Sequence, residues 1–307
     1  MATIYTQQTE NIQKTWLLLT VFLFFVIGIG WFFSQIYRSP GILYFAVFIS
    51  FFMSFSSYWW SDKLVLSLAK AKPVEKKDFP ELYNVVENLT ITAGLPMPKI
   101  YIIEEEAMNA FATGRDPKHA VVAATRGLLE KLNKVELEGV IAHELSHIGN
   151  RDMLINSMAV VLVGVISLVS DFFMRSLLWG GFRSRNNERE GNQFQGLLII
   201  LGIAAAILAP IAATLIRLAI SRKREFLADA SGVLLTRYPE GLVSALKKIS
   251  TNQTPLRVNA AISHIYFDNP LRSGQKFDKA GTSWFIKLFM THPPIEERIR
   301  ALREFSV

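Results

Sequence analysis

Four stretches of the chain are almost free of polar residues: 16–36, 41–60, 154–173 and 197–220. Each approaches the ~20 residues that a helix needs to cross a bilayer, so the pattern predicts about four transmembrane helices. The first run ends in Trp31-Phe32-Phe33 rather than at a small-residue cleavage site, which marks it as a retained anchor and not a secretory signal. Only residues 37–40 separate it from the second, and Pro40-Gly41 is turn chemistry, so the two form a helical hairpin with both ends on one side. The second pair of runs is joined by a polar, turn-rich linker, 184–192. The segment connecting the two runs carries Arg175, Arg183, Arg185 and Arg189, while Arg151, Arg222, Lys223 and Arg224 flank the outer ends. Charge therefore does not orient this pair. Either it spans or it dips partway, and its length and apolarity favour spanning.

Between and after the hairpins the periodicities are those of a soluble fold. Residues 79–93 repeat at helical spacing, with Leu82, Val85, Val86 and Leu89 on one side and Gly94-Leu95-Pro96 as a stop. Short apolar or β-branched runs at 99–103 and 119–123 predict strands, with 109–113 as a third between them. From Arg126 the spacing is helical again, and Asn133 with Glu136 has the form of an N-terminal capping box. The fold class that follows is a mainly α membrane protein with a small β-sheet. Its domains are 1–60 (first hairpin), 61–153 (catalytic region), 154–220 (second hairpin) and 221–307 (C-terminal catalytic region).

Composition agrees with this. Half of the residues are hydrophobic, 12% are aromatic and only 19% are charged, more apolar than a soluble core requires. Lys63, Lys70, Lys72, Lys76 and Lys77 follow the first hairpin, whereas its connecting loop offers only Arg38. That asymmetry puts the soluble part in the cytoplasm. The absence of cysteine fits a reducing compartment and excludes disulfides and thiolate metal ligands. A net charge of +7 raises nucleic acid as a partner, but the basic residues flank apolar runs without a basic, aromatic-interleaved stripe. They suit attraction to a lipid bilayer instead.

The chemistry lies in the capped helix. His143-Glu144-Leu145-Ser146-His147 sets two imidazoles four residues apart, on one helical face, where both can bind one metal ion. Glu144 is positioned as general base for a water attacking a carbonyl, and a Zn2+ ion, one per chain, would lower the pKa of that water to roughly 7. A third ligand from another element is expected. In Arg224-Glu225-Phe226-Leu227-Ala228-Asp229 two acids again share a face, so one can bind the metal while the other accepts a hydrogen bond from a ligating imidazole. The bland alternative is a pair of solvated acids balanced by Arg222 or Arg224.

Several blocks together bring a family into view: Asn109-Ala110-Phe111-Ala112-Thr113-Gly114, the metal helix followed by Asn150-Arg151-Asp152, Glu225 with Ala228-Asp229, and Thr291-His292-Pro293-Pro294 with Arg298. The chain resembles the HtpX-type membrane proteases, relatives of the prenyl-protein endopeptidases. The resemblance implies a zincin-like endopeptidase of the bacterial cytoplasmic membrane, multi-pass, with its active site facing the cytoplasm and acting on damaged, unfolded or misassembled membrane proteins. It also implies that the strand with Asn109, Ala110 and Phe111 is an edge to which substrate backbone adds. Glu225 is then the metal ligand and Asp229 the acid behind it. His292 is a candidate donor to the developing oxyanion, although Pro293 and Pro294 equally make it the residue that precedes a terminal helix. Arg298 can serve as scaffolding by pairing with Asp229. His119 and His264 receive no role. The reading from another class is an inactive membrane scaffold or holdase, which would need none of these ligands. Substrate identity, cleavage preference and oligomeric state are left open.

Overall fold

The computed structural model describes residues 4–36, 38–161, 222–252, 254, 266–267 and 293–304. Helices α1 (Ile4–Ile36) and α2 (Pro40–Leu68) form the expected hairpin. Arg38, in the left-handed region at φ 49°, and Pro40 at the first turn of α2 make the reversal. Gly30 permits close approach, since a Cβ there would lie 2.0 Å from that of Ala46. Small residues at a helix crossing are what packing in lipid selects. Two helices among the described residues are long and apolar enough to cross a membrane, Thr9–Trp31 and Pro40–Leu68, and little of either is buried within the protein. Phe45, Phe48, Phe51, Phe52 and Phe55 all stand exposed on α2. Such a surface belongs in lipid rather than water. Of the second apolar pair, only the beginning is described, as helix 153–161. The rest, including Arg183, lies outside the described residues.

The soluble region is built on a four-stranded sheet: β1 (Lys72–Pro73), β2 (Lys99–Ile103), β3 (Ala110–Thr113) and β4 (Val121–Thr125), in the order β1-β2-β4-β3. Only the β2–β4 pair is parallel. Helix α3 (Pro80–Ala93) buries Leu82, Val85, Val86 and Leu89 as its spacing predicts and ends at Gly94 in the left-handed conformation. The strand expected from residue 119 begins instead at Val121. Asp116 accepts the backbone N–H groups of Lys118 and His119 and winds Pro117–His119 into a single 3-10 turn, removing His119 from the ladder.

The helical pattern from Arg126 divides into α4 (Arg126–Lys131) and α5 (Lys134–Gly149). The break is the capping box: Asn133 Oδ1 accepts from the Glu136 N–H at 3.0 Å, and Glu136 Oε2 accepts from the Asn133 N–H at 2.9 Å. Glu136 also accepts from Ser244 and Lys248 on α7 (Pro239–Thr251), which fixes the start of α5 against that helix. Helices α6 (Arg222–Thr236) and α8 (Ile295–Glu304) complete the described fold. α5 lies in the centre, between the sheet and α3, α6 and α7, and its residues 136–148 are buried apart from the half-buried Glu138. The architecture is mainly helical with a small mixed sheet.

Candidate active site

The two histidines of α5 meet α6 at one point. His143 Nε2 and His147 Nε2 are 3.0 Å apart, and the Glu225 carboxylate lies 3.8 Å from the first and 3.7 Å from the second. The three potential ligand atoms all fall within 4.8 Å of one another, and the three residues are buried. Tetrahedral zinc with bonds near 2.0–2.1 Å places nitrogen ligands roughly 3.3 Å apart, so the triangle suits such an ion. Gly232, two turns along α6 from Glu225, is what allows the two helices to approach this closely. A Cβ on it would stand 3.0 Å from the His143 backbone nitrogen and 3.2 Å from the Ala142 carbonyl carbon.

The opposite ring nitrogens are held by acids. His143 Nδ1 is 2.8 Å from Asp229, and His147 Nδ1 is 3.0 and 3.1 Å from the two oxygens of Asp152. Each carboxylate holds the Nδ1–H tautomer, which turns the Nε2 lone pair toward the shared point. Asp229 in turn accepts from Arg298 of α8 at 2.8 and 2.6 Å. Arg298 is 1% exposed, so this is a buried ion pair behind the first imidazole. Burial alone would raise the Asp229 carboxyl, but Arg298 beside it and the hydrogen bond from His143 hold it down at about 2. His143 itself is depressed to about 4, chiefly by burial, against the pull of Asp229. At His147 burial also disfavours charge, yet Asp152, Glu225 and Glu144 overcome it and raise the imidazole to about 10. Three carboxylates around one ring create a strong demand for positive charge at this point, and a divalent cation answers it. Glu144, between the histidines in sequence, is 2% exposed.

Of the residues expected from sequence, His143, Glu144, His147, Glu225 and Asp229 are thus brought together, and Arg298 makes the pairing with Asp229 that was one option for it. His292 lies outside the described residues, as does His264. Pro293 and Pro294 do precede α8, with the Pro294 carbonyl accepting from Glu297 and Arg298. His119 is exposed and tied to Asp116 and Arg115.

β3 is an edge strand of the sheet, but its three residues of interest differ in what they present. The Thr125 N–H donates to the Asn109 carbonyl, which sets the ladder so that Phe111 also faces β4 while Ala110 and Ala112 turn their main chain outward. At Ala110 those groups are engaged: its N–H donates to Asn109 Oδ1, and its carbonyl accepts from the Phe267 N–H at 2.9 Å. Phe267 and Tyr266 straddle the edge. The Tyr266 ring meets Phe111 at 5.1 Å on one face, and the Phe267 ring meets His143 at 5.0 Å and the Arg298 guanidinium at 4.6 Å on the other.

Sequence reasoning placed Asp152 in a block of the family resemblance without giving it a role, and it missed Phe267. Asp152 had a signal, an acid directly after the metal helix. The left-handed Arg151 (φ 56°) turns the chain so that this acid returns to His147. Nothing near Phe267 in sequence marks it.

Residues 76–306 match Peptidase family M48. The chain is 42% identical over 308 residues to a protein from Thermoanaerobacter pseudethanolicus named Protease HtpX homolog, covering 99% of both chains. A protein of the same name from Tropheryma whipplei is 44% identical, again over 99% of each, and one from Streptococcus pneumoniae is 41% identical over 98% of this chain and 99% of its own. Among solved structures, S. mikatae Ste24p aligns with 97% of this chain and 67% of its own, at 17% identity and a TM-score of 0.49. A match of this extent to the family, joined by full-length relatives, has one reading: the chain belongs to peptidase family M48 and is a membrane metalloprotease.

Proposed function

We propose that this is a zinc-dependent endopeptidase in which His143, His147 and Glu225 hold the metal and Glu144 is the general base. The observation that carries the reading is the convergence of two imidazole nitrogens and one carboxylate, each imidazole backed by its own buried acid. Zinc, when bound, supplies Lewis acidity toward water and the scissile carbonyl. Glu144 accepts the proton of the attacking water and delivers it to the leaving amine. Asp229 and Asp152 orient the imidazoles, and Arg298 keeps Asp229 ionised. His292 donates to the oxyanion, and substrate backbone adds along the β3 edge that Asn109, Ala110 and Phe111 belong to.

In this reading the arrangement is zincin-like with four transmembrane helices, divided as 1–60, 61–153, 154–220 and 221–307. The active site faces the cytoplasm of a bacterial cell, and the substrates are unfolded or misassembled membrane proteins. A scaffold without chemistry would have no use for the paired acids behind the histidines.

The test uses purified, membrane-reconstituted protein. Glu144→Gln should retain metal and lose at least ~100-fold in cleavage of an unfolded membrane-protein substrate, within the range for a general base. Glu225→Gln should lose metal and activity together, and a chelator should abolish wild-type activity until zinc is restored. Full cleavage by Glu144→Gln would overturn the assignment of the base. Full zinc content and activity in Glu225→Gln would move the third ligand elsewhere.

A further inference from the structure

Trp16 of α1 stacks on Tyr58 of α2 with ring centroids 6.5 Å apart, and Trp59 and Trp60 follow, with one intervening residue before Asp62 and Lys63. Aromatic residues gathered at one level, where charge begins, mark the membrane–water interface. The catalytic region touches this level directly: the Arg115 guanidinium lies over the Trp59 ring, 4.4 Å from its centroid. Arg115 is two residues beyond the end of β3, and the intervening turn is firmly built. Gly114 has φ 140° and sits so close to the His119 carbonyl that a Cβ would come within 2.5 Å of it. Arg115 also hydrogen-bonds the His119 ring at 2.8 Å. Thr113, the last residue of β3, is fixed by a 2.6 Å hydroxyl–hydroxyl bond to Ser157 of helix 153–161.

The other end of β3 reaches the catalytic centre, because the Ala110 carbonyl holds Phe267, whose ring packs on His143. The strand therefore bridges the aromatic belt and the metal-binding histidines. At ~3.3 Å per residue, the five steps from Ala110 to Arg115 span about 17 Å. With Phe267 already on the Ala110 carbonyl, a peptide extending the sheet pairs with the outward main chain of Ala112, on the membrane side of Phe267.

We infer that an anchored substrate is cut by position, in its first extended residues outside the bilayer, about four to eight residues from the membrane surface at the rise of an extended chain. The inference rests on the proposed docking of substrate along β3. A chain leaving the bilayer beside Trp59 lies along this edge without a detour, and its scissile bond falls where that run of five steps ends, beside Ala110. Anchoring in the same membrane also raises the local concentration of just that segment.

The experiment uses the full zinc-loaded chain in lipid nanodiscs with a substrate of one transmembrane helix and a disordered cytoplasmic tail of uniform, repeated sequence, the cut sites being mapped by mass spectrometry. Cuts should cluster four to eight residues from the anchor, and cleavage beyond fifteen residues should be at least tenfold slower. Arg115→Ala should broaden the cluster while leaving cleavage of the soluble tail peptide unchanged, and Trp59→Leu provides the same loss from the membrane side. Cuts spread evenly along the tail, or equal kcat/KM for tail peptide and anchored substrate, would overturn the inference. So would a cut distribution identical to wild type in both variants. Failure of the wild-type protein to cut either the tail or the soluble peptide is a different outcome, which overturns the proteolytic reading beneath it.

Discussion

Replacing Asp229 with asparagine separates metal binding from stability in a way that the geometry makes quantitative. The native carboxylate accepts from Arg298 at 2.8 and 2.6 Å and lies 2.8 Å from His143 Nδ1. The substituted amide would keep one acceptor oxygen but would leave the Arg298 charge, 1% exposed, without a counter-charge. Breaking a buried pair from one side costs about 3–5 kcal/mol, and the retained acceptor puts the expectation near the lower figure. Loss of the acid behind a ligating imidazole weakens metal affinity by roughly 10- to 100-fold, or about 1.4–2.7 kcal/mol. Thermal unfolding in detergent, with and without zinc, reads the first quantity, and competition against a zinc chelator reads the second. The double variant Asp229→Leu with Arg298→Met removes both charges, so stability should largely recover while zinc affinity remains low. If Asp229→Asn melts and binds zinc as the wild type does, the Arg298–Asp229–His143 chain does not organise the site. If the double variant recovers affinity as well, Asp229 acts only by balancing Arg298.

Three further outcomes follow from the same geometry. Gly232→Ala should push α6 from α5 by a few tenths of an ångström at His143 and lower zinc affinity, measured by chelator competition, with little change in helix content by circular dichroism. For Glu136, burial raises the carboxyl but the bonds from Lys248, Ser244 and the Asn133 N–H outweigh it and leave the folded pKa depressed. Its stabilising contribution is thus present above the unfolded value and lost as pH falls through the folded one; acid titration of thermal stability should show a shallower fall in Glu136→Gln, and an unchanged slope would remove Glu136 as a cause. Finally, single cysteines placed near Lys76 and near the C-terminus should be shielded from an impermeant thiol reagent in intact cells while one at Arg183 reacts; exterior labelling at Lys76 would reverse the orientation.

Local signals carried much of this fold because the relevant physics is local. The capping box at Asn133 and Glu136, the buried stripe of α3 and the metal pair of α5 each depend on residues three or four apart, and all are legible as spacing. The apolar hairpin is legible as length. The illegible parts join distant segments. Phe267 reaches Ala110 and His143 from the far side of the second apolar pair, and no periodicity records a contact of that range. Asp152 lies near His147 in sequence, but its role depends on a left-handed Arg151 that residue type does not announce. The delayed start of β4 depends on Asp116 competing for the backbone of Lys118 and His119, a local effect that the apolar run 119–123 obscured.

The hydrogen bond from Asn11 Nδ2 to the carbonyl of Asn150, 3.0 Å long and buried, joins the foot of α1 to the C-terminal end of the helix that bears both histidines. Far later in the chain, Arg298 closes the site from α8. The centre is thus assembled from an early helix and a late one. A nascent chain that has threaded its anchor, and even delivered His143, His147 and Glu225, still lacks the cation that settles Asp229. The order of synthesis therefore leaves the buried charge of Asp229, and with it the ion pair behind His143, unbalanced until α8 has left the ribosome.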